Sequence, residues 1–589
     1  MKHAAFASGR TGLTICIAAI AVAPLVLPEF YIVLLNYAGI FAIAALGLTL
    51  LSGGAGLPSF GQAAFMGLAA YTTSWVTTNG VGSAWLGLAI GLVLVAIVAF
   101  VIGVATLHLS EHYLVLTTIA WGIAAYYLFG ALDIFGRHTG ISGVPPISIS
   151  HWSLQEMDRI YFVIWSVLLV LSLLLRNLLL SRQGRAIRML RASDIVVESC
   201  GASAFRLRLA AFVLSALIAG LAGWLYAHVQ RAVSPNSFSL EIGTELLLMS
   251  VLGGMQSIVG APIGALVVTM TRNWLQDVLP IISSNNAFES IFAGVAFILI
   301  LQRTNGGIAK ALGLNISRSL ASRFMRNGLM PPRQRSGAEA PVLAVSSIKK
   351  AFGGLIAVNG ATLRVNSGQI VGLIGPNGAG KSTLLAIITG LLKPTAGRVV
   401  FRGQDITAKS PRIAAELGVS RTFQHVKLRA DMSVLENVML GAYLRTHSGF
   451  VRGSLYLDRY EDALSVSEAL KYLKQVGLAD DAQKPAGDLP LGKQRLLEVA
   501  RALVADPSLI ILDEPAAGLR KPEKAELRDI LRDVKNRGVA VLLVEHDMEF
   551  VMSLVDWIYV LNFGEMLAEG SPGEVRRNPD VVKAYLGTG

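Results

Sequence analysis

The 26 residues 84–109, AWLGLAIGLVLVAIVAFVIGVATLHL, contain no Asp, Glu, Lys or Arg. A helix rises about 1.5 Å per residue, so about 20 apolar residues cross a bilayer core of about 30 Å. Such a run has to satisfy its backbone internally as a helix and bury its side chains in lipid or other helices. Comparable stretches fall near 11–28, 30–51, 63–79, 113–132, 160–180, 207–228, 240–255, 258–276 and 286–302, which gives about ten spans. The stretches 63–79 and 240–276 are rich in Gly and small residues. Re-entrant or broken helices are the alternative there, tolerated only inside a bundle.

Charge divides the 589-residue chain in two. Residues 1–310 hold 15 Lys/Arg and 11 Asp/Glu, whereas 311–589 hold 36 and 28. An all-α polytopic membrane domain followed by an ordinary soluble domain is expected, and a single soluble globule or a disordered chain is excluded. The net charge of +12 is spread over both parts and the segment between them. Basic residues beside spans mark the cytoplasmic face and favour anionic membrane lipid. They do not indicate nucleic-acid binding. Two cysteines, Cys16 and Cys200, are too few for a disulfide framework or a four-ligand zinc site. The expected boundaries are 1–302 for the membrane domain, 303–340 for a linker and 341–589 for the soluble domain. From 303 to 338 the linker has seven basic residues and no acidic one, with Pro331 and Pro332 near its end.

After 340 the pattern alternates strand, loop and helix. The apolar strand Gln369–Ile374 runs into Gly375-Pro376-Asn377-Gly378-Ala379-Gly380-Lys381-Ser382-Thr383. This is a phosphate-binding loop in its strand–loop–helix context. Its glycines let backbone N–H groups curl around phosphate oxygens, and the helix points its positive end at them. Lys381 is expected to reach the β/γ-phosphates of ATP and Ser382 to ligate Mg²⁺. Leu509–Leu512 leads into Asp513, Glu514 and Pro515. Two carboxylates ending a buried strand call for a cation or for catalysis. Asp513 is expected on the metal and Glu514 on the attacking water. His546 directly follows the strand Val541–Glu545, where ligands of α/β sheets sit, and is expected at the γ-phosphate.

These pieces occur in the order of an ABC-transporter ATPase, and the soluble domain resembles that family throughout. The resemblance implies a P-loop α/β fold with a helical subdomain over 433–488. It assigns Gln424 to the loop that senses Mg²⁺ and contacts the membrane domain, and Phe352 to stacking on adenine. A surface Gln and a core aromatic are the plainer alternatives for these two. The signature motif departs from the usual Leu-Ser-Gly-Gly-Gln, reading Leu489-Pro490-Leu491-Gly492-Lys493. Its Ser hydroxyl is missing, leaving the helix dipole, Gly492 and Lys493 to meet the ATP of a partner ATPase. Arg520 stands where the family usually has Asp.

A cytoplasmic ATPase and ten crossings place the N-terminus inside, in agreement with Lys2 and Arg10. They also place 181–206, with Arg182, Arg185, Arg188 and Arg191, inside, and the loop 133–159 outside. Residues 1–28 have the basic start and apolar run of a signal peptide. The run continues into another span, so retention is expected.

The membrane half resembles a LivM-type branched-chain amino-acid permease. The resemblance rests on Ser59-Phe-Gly-Gln-Ala-Ala-Phe65, Gly140-Ile-Ser-Gly-Val-Pro145, Leu252-Gly-Gly-Met255 and Ser181-Arg-Gln-Gly-Arg-Ala-Ile-Arg188 through Gly201. The ATPase half resembles the matching LivG type through Phe352-Gly-Gly354 and Glu514-Pro-Ala-Ala-Gly-Leu519. The chain thus looks like a natural fusion of two usually separate subunits. Departures are Gln62, where relatives often have His, and Met255-Gln256, where they often have Leu-Gly. The segment with Arg185, Asp194, Glu198 and Gly201 is expected to dock in a groove of the ATPase and couple the two halves. A solvated basic loop is the alternative. Asn36, Ser59, Gln62, Thr117, Thr118, Glu241 and Glu245 are candidates to line a path. They serve equally as helix–helix hydrogen bonds, or at the interface for the Glu pair.

The resemblance implies ATP-driven import of branched-chain amino acids, or of urea, amides or aromatic acids. It implies a second permease, a second ATPase, an external solute-binding protein, and a multi-pass location in the inner cell membrane. An exporter half-transporter would have six long spans and long intracellular helices. A membrane-anchored regulatory ATPase would not need Gly-rich, polar-containing spans.

Overall fold

The computed structural model describes residues 20–109, 111–149, 152–278, 286–304, 306–314, 328–333 and 341–586. They belong to two compact units, Met1–Leu180 with Phe205–Arg318, and Ser181–Ala204 with Ser319–Gly589.

The first unit is helical. α1 (Glu29–Leu48) passes into a π-helical turn over Thr49–Gly54, and is followed by α2 (Gln62–Thr78), α3 (Ala84–Thr106), α4 (Glu111–Ala131) and α5 (Met157–Leu180). Two short helices of the second unit intervene, α6 (Arg182–Leu190) and α7 (Asp194–Ser199). Then come α8 (Ala204–Gln230), α9 (Leu240–Gly253), α10 (Gly260–Val278) and α11 (Asn286–Thr304). α3 is apolar all round, so residue size decides which side packs. Ala84, Gly87, Gly91, Val95, Ala99 and Gly103 are buried, while Ile90, Val93, Ile97, Phe100 and Val101 are exposed. A Cβ on Gly87 would fall 2.3 Å from the Thr73 hydroxyl of α2, so this helix pair meets through small residues.

Five described helices are long and apolar enough to cross a bilayer: Glu29–Gly54, Ala84–Thr106, Tyr113–Ala131, Met157–Leu180 and Ala204–Gln230. They coincide with five of the ten expected spans. The expected span 63–79 is a 17-residue helix. The expected spans 240–255 and 258–276 are a 14-residue helix and a separate one beginning at Gly260. At about 1.5 Å per residue, 14 residues reach about 21 Å, short of a bilayer core. Residues 11–19 of the expected span 11–28 lie outside the described residues. The backbone is non-helical at 55–60, after the π turn, and again at 254–259. The π turn meets the second interruption, for a Cβ on Gly53 would sit 1.7 Å from the Met255 carbonyl oxygen. Polar backbone of this kind is admitted only where protein buries it.

The second unit is built on two sheets. β1 (Leu343–Phe352), β2 (Leu355–Val365), β4 (Ala396–Phe401) and β5 (Gln404–Asp405), together in the order β2-β1-β4-β5, form an antiparallel sheet around β1. β3 (Ile370–Ile374), β6 (Val419–Arg421), β7 (Leu509–Asp513), β8 (Ala540–Val544), β9 (Trp557–Asn562) and β10 (Glu565–Gly570) form the other, in the order β6-β7-β8-β3-β9-β10. All its pairings are parallel except β9–β10. β3, β7 and β8 are buried at every residue, which is why, up to Asp513 at the end of β7, each reads as an apolar run rather than an alternation. Its helices include α12 (Lys381–Ile388), α13 (Val434–Met439), α14 (Arg459–Gln475), α15 (Leu491–Val504) and α16 (Lys521–Asn536).

Candidate functional site

The carboxyl ends of β3, β7 and β8 converge on one cluster. Between β3 and α12 the chain turns through Gly375, Gly378 and Gly380 at φ 154°, 81° and 98°. A Cβ on Gly380 would fall 2.3 Å from the Ala357 carbonyl, so both backbone sign and space require glycine. Lys381 opens α12, and its Nζ donates to the Gly375 and Pro376 carbonyls at 2.7 and 2.9 Å. Burial lowers its pKa against the pull of Glu514 and Asp513. Ser382, Asn377 and Gly378 are exposed, Ala379 is buried, and Pro376 and Thr383 are intermediate.

Asp513 ends β7, 2% exposed. Burial raises its pKa, opposed by Arg421, whose guanidinium donates to Oδ2 at 3.3 Å. Its Oδ1 is buried with no hydrogen-bond partner. An acceptor-only oxygen left over beside Lys381 suits a divalent cation. Glu514 follows at φ 50°, a left-handed conformation costly for a side-chain-bearing residue. Its N–H continues the ladder to the Val544 carbonyl at 2.9 Å, and the turn frees the carboxylate. Gln424 Nε2 donates to that carboxylate at 3.2 Å, and His546 Nε2 lies 2.8 Å from it. Three residues separated by up to 122 positions thus share one oxygen.

Four participants escaped sequence reading. Arg421 ties Asp513 to the Thr389 hydroxyl at 2.9 Å. Glu545 is 3% exposed and accepts from the N–H groups of Ala516 and His546 at 2.6 and 3.0 Å. Arg495 of α15 donates to the Glu514 carbonyl at 2.9 Å, and Thr422 accepts from Asp513 N–H at 3.2 Å. The signals were Arg421 at the end of β6 and Glu545 one place before His546. Neither has a fixed spacing from its partner.

Phe352 is exposed at the end of β1, with Lys350 Nζ 5.0 Å from its ring centroid. In the signature segment Leu489 and Gly492 are buried. Pro490 caps the N-terminus of α15. Lys493 Nζ is committed to Asp481 at 2.8 Å.

The segment 181–204 folds with the ATPase elements. Arg185 pairs with Asp462 at 2.8 Å and Arg188 with Glu436 at 2.5 Å. Burial opposes the Glu436 charge, but Arg188 and the Ser433 N–H hold its pKa below the usual value. Asp194 and Glu198 lie on α7. Gly201 has φ 88°, and a Cβ there would fall 2.4 Å from Leu444.

In the first unit Asn36, Ser59, Gln62 and Thr118 are buried. Asn36 donates to the Met157 carbonyl at 3.1 Å, and Gln62 to the Ser215 hydroxyl of α8. Ser59 accepts from Gly61 N–H and Thr118 from Phe60 N–H, both at 3.3 Å. Thr117 bonds its own helix at Leu114. Glu241 is exposed, and Glu245 pairs with Arg272 of α10.

The fold and this cluster define an ABC-type ATPase joined to a helical permease. Family models agree: "Branched-chain amino acid transport system / permease component" matches 30–301, "ABC transporter" 358–517, and "Branched-chain amino acid ATP-binding cassette transporter" 565–589. The ATP-binding protein LivG of high-affinity branched-chain amino acid transport in Salmonella typhimurium is 42% identical over 250 residues, covering 42% of this chain and 98% of LivG. Its counterpart BraF of Pseudomonas aeruginosa is 42% identical over 252 residues, with the same two coverages. A crystal structure of a nucleotide-free ATP-binding cassette from an ABC transporter is 33% identical over 42% of this chain and all of that one, with a TM-score of 0.38. The chain belongs to the branched-chain amino acid ABC transporter family, with permease and ATP-hydrolysing subunit fused in one membrane protein.

Proposed function

We propose that this chain is one permease and one ATPase subunit of an ATP-driven importer of branched-chain amino acids or a related small solute. The observation that supports it best is the conjunction, in one chain, of a branched-chain permease model over 30–301 and a cassette 42% identical to LivG. Residues 1–302 act as the permease, 303–340 as linker and 341–589 as the cassette. A second permease, a second ATPase and an external solute-binding protein complete the machine. It sits in the inner membrane with the cassette in the cytoplasm.

Lys381, the loop N–H groups and the start of α12 hold the ATP phosphates, and Phe352 offers a face to adenine. Ser382, Gln424 and Asp513 are the residues to hold Mg²⁺, which when bound neutralises phosphate charge. Glu514 is aimed to take a proton from the attacking water, and His546 and Gln424 fix its carboxylate. Gln424 also links hydrolysis to the docked segment 181–204. The buried polar residues of the first unit, Gln62 foremost, line the solute's route past the helix interruptions.

Uptake of labelled leucine by cells expressing the chain with its partners tests the proposal. Uptake abolished by Glu514→Gln supports import. Outward flux alone from loaded vesicles overturns it.

A further inference from the structure

Residues 328–333, Gly-Leu-Met-Pro-Pro-Arg, lie between the family-model matches that end at 301 and resume at 358. Pro331 and Pro332 fix their own φ, carry no N–H and bias the residue before each away from helix, and the segment has neither helix nor strand. Expected as linker, it folds as part of the cassette unit. Met330 is 5% exposed, in one core cluster with Tyr472 of α14, Leu503 of α15 and Val534 of α16. Its carbonyl and that of Pro331 both accept from Arg445 Nη2 at 3.2 Å. Arg333 closes the segment. Its N–H donates to Asp506 Oδ2 at 2.8 Å, and its guanidinium to the Ala415 and Glu416 carbonyls at 3.2 and 2.6 Å. Those carbonyls end the helix Pro411–Leu417, where a cation is favoured.

Arg445 connects this segment to the catalytic elements. Its side chain is 4% exposed, and Nη1 donates to Glu468 of α14 at 3.2 Å. The same nitrogen donates at 2.8 Å to the carbonyl of Val504, the last residue of α15. Nearer the start of that helix, Arg495 donates to the Glu514 carbonyl. At about 1.5 Å per residue, the two contacts are about 14 Å apart along the axis. α15 is thus tied to the Glu514 turn near its start and, through Arg445, to 328–333 at its end. An extended segment orients a helix only if it is itself anchored. Met330 supplies an apolar anchor and Arg333 a charge-assisted one. Reaction geometry is sensitive to shifts of about 1 Å, which cost up to about 10²-fold in rate.

We propose that residues 328–333 are a strap that orients α15 and, through Arg495, the Glu514 turn, so that the end of the linker sets the rate of ATP hydrolysis. Arg333 and Arg445 act as positioning residues. The inference goes beyond the reading of Glu514 as the base and rests on it.

The test uses the full chain with its partners in detergent. In one variant 328–333 is replaced by alternating Gly and Ser of equal length, and the other is Arg333→Ala. Hydrogen exchange read by mass spectrometry follows the amides of 495–504, and ATP binding and phosphate release are measured on the same sample. In both variants α15 loses protection at least about tenfold, while β3 keeps its own. The kcat falls severalfold, and KM for ATP and the ATP bound per complex stay within about twofold. Arg333→Lys, which keeps a cation at the helix end, recovers part of both losses. Protection of α15 that survives both variants overturns the proposal. So does a loss shared equally by β3, an unchanged kcat, or ATP binding that falls in step with kcat. If the replaced chain binds no ATP, Arg333→Ala decides under the same criteria, and loss of ATP binding there as well overturns the proposal. Unchanged turnover in Glu514→Gln would overturn the reading of the base, whereas unchanged α15 protection overturns the strap, so the two failures are told apart.

Discussion

His546 Nε2 lies 2.8 Å from the Glu514 carboxylate, although 31 residues separate them within the chain and they end neighbouring strands. The parallel register of β7 and β8 pairs Asp513 with Val544, so the residues just beyond each strand emerge side by side. His546 and Gln424 hold the carboxylate in place. Glu514→Gln therefore keeps ATP binding while turnover falls about 10²–10⁴-fold, the usual contribution of a positioned base. Nucleotide binding and phosphate release measured on the same preparation check it, and unchanged turnover would remove Glu514 from the mechanism.

Arg421 is the ion-pair partner of the buried Asp513, with Lys381 also acting on it. Arg421→Met strands that carboxylate at a cost of about 3–5 kcal/mol. The apparent melting temperature of the cassette falls, and Mg²⁺ with ATP raises it more in the variant than in the parent chain. Scanning fluorimetry with and without Mg²⁺–ATP reads both effects. Equal gains would mean that Asp513 does not face the metal.

Asp458 is 6% exposed, and burial followed by the Asp462 charge pushes its pKa from 3.8 up to about 6. The folded form holds this proton more tightly than the unfolded chain. The group's stabilising contribution is full below the unfolded pKa and is lost as pH rises through about 6. Asp458→Asn removes that loss, so the variant melts higher at pH 7 and close to the parent at pH 4. Melting curves across this range decide the point, and parallel pH profiles would count against the raised pKa.

Gly201 needs both its positive φ and its missing Cβ, because Leu444 occupies the space. Gly201→Val forces that contact apart and releases α7 from the cleft near Phe423. Solute-stimulated ATPase drops severalfold while ATP affinity is kept. Gly201→Val with Leu444→Ala recovers part of the loss. No recovery would place the defect in backbone strain alone.

The nucleotide site was largely legible because its parts are local. A phosphate loop needs glycines at fixed offsets, and Asp513 and His546 sit at the ends of apolar runs that can only be buried strands. Arg421, Glu545 and Arg495 were not legible. Their roles arise from strand order β6-β7-β8 and from Arg495 of α15 reaching the Glu514 carbonyl, and no sequence spacing encodes strand order. Lys493 looked available to a partner's phosphate from its motif position, and only the fold shows Asp481 beside it.

By itself, the sequence determined that one half of the chain is apolar helix and the other a phosphate-binding α/β domain. Hydropathy and backbone chemistry act over a few residues and suffice for that. The tertiary structure alone decided that Arg185 finds Asp462 and Arg188 finds Glu436, and that 240–276 breaks at Gly254. Those outcomes depend on which buried charges can neutralise one another and which backbones can touch, and both are set by packing between residues far apart in the chain.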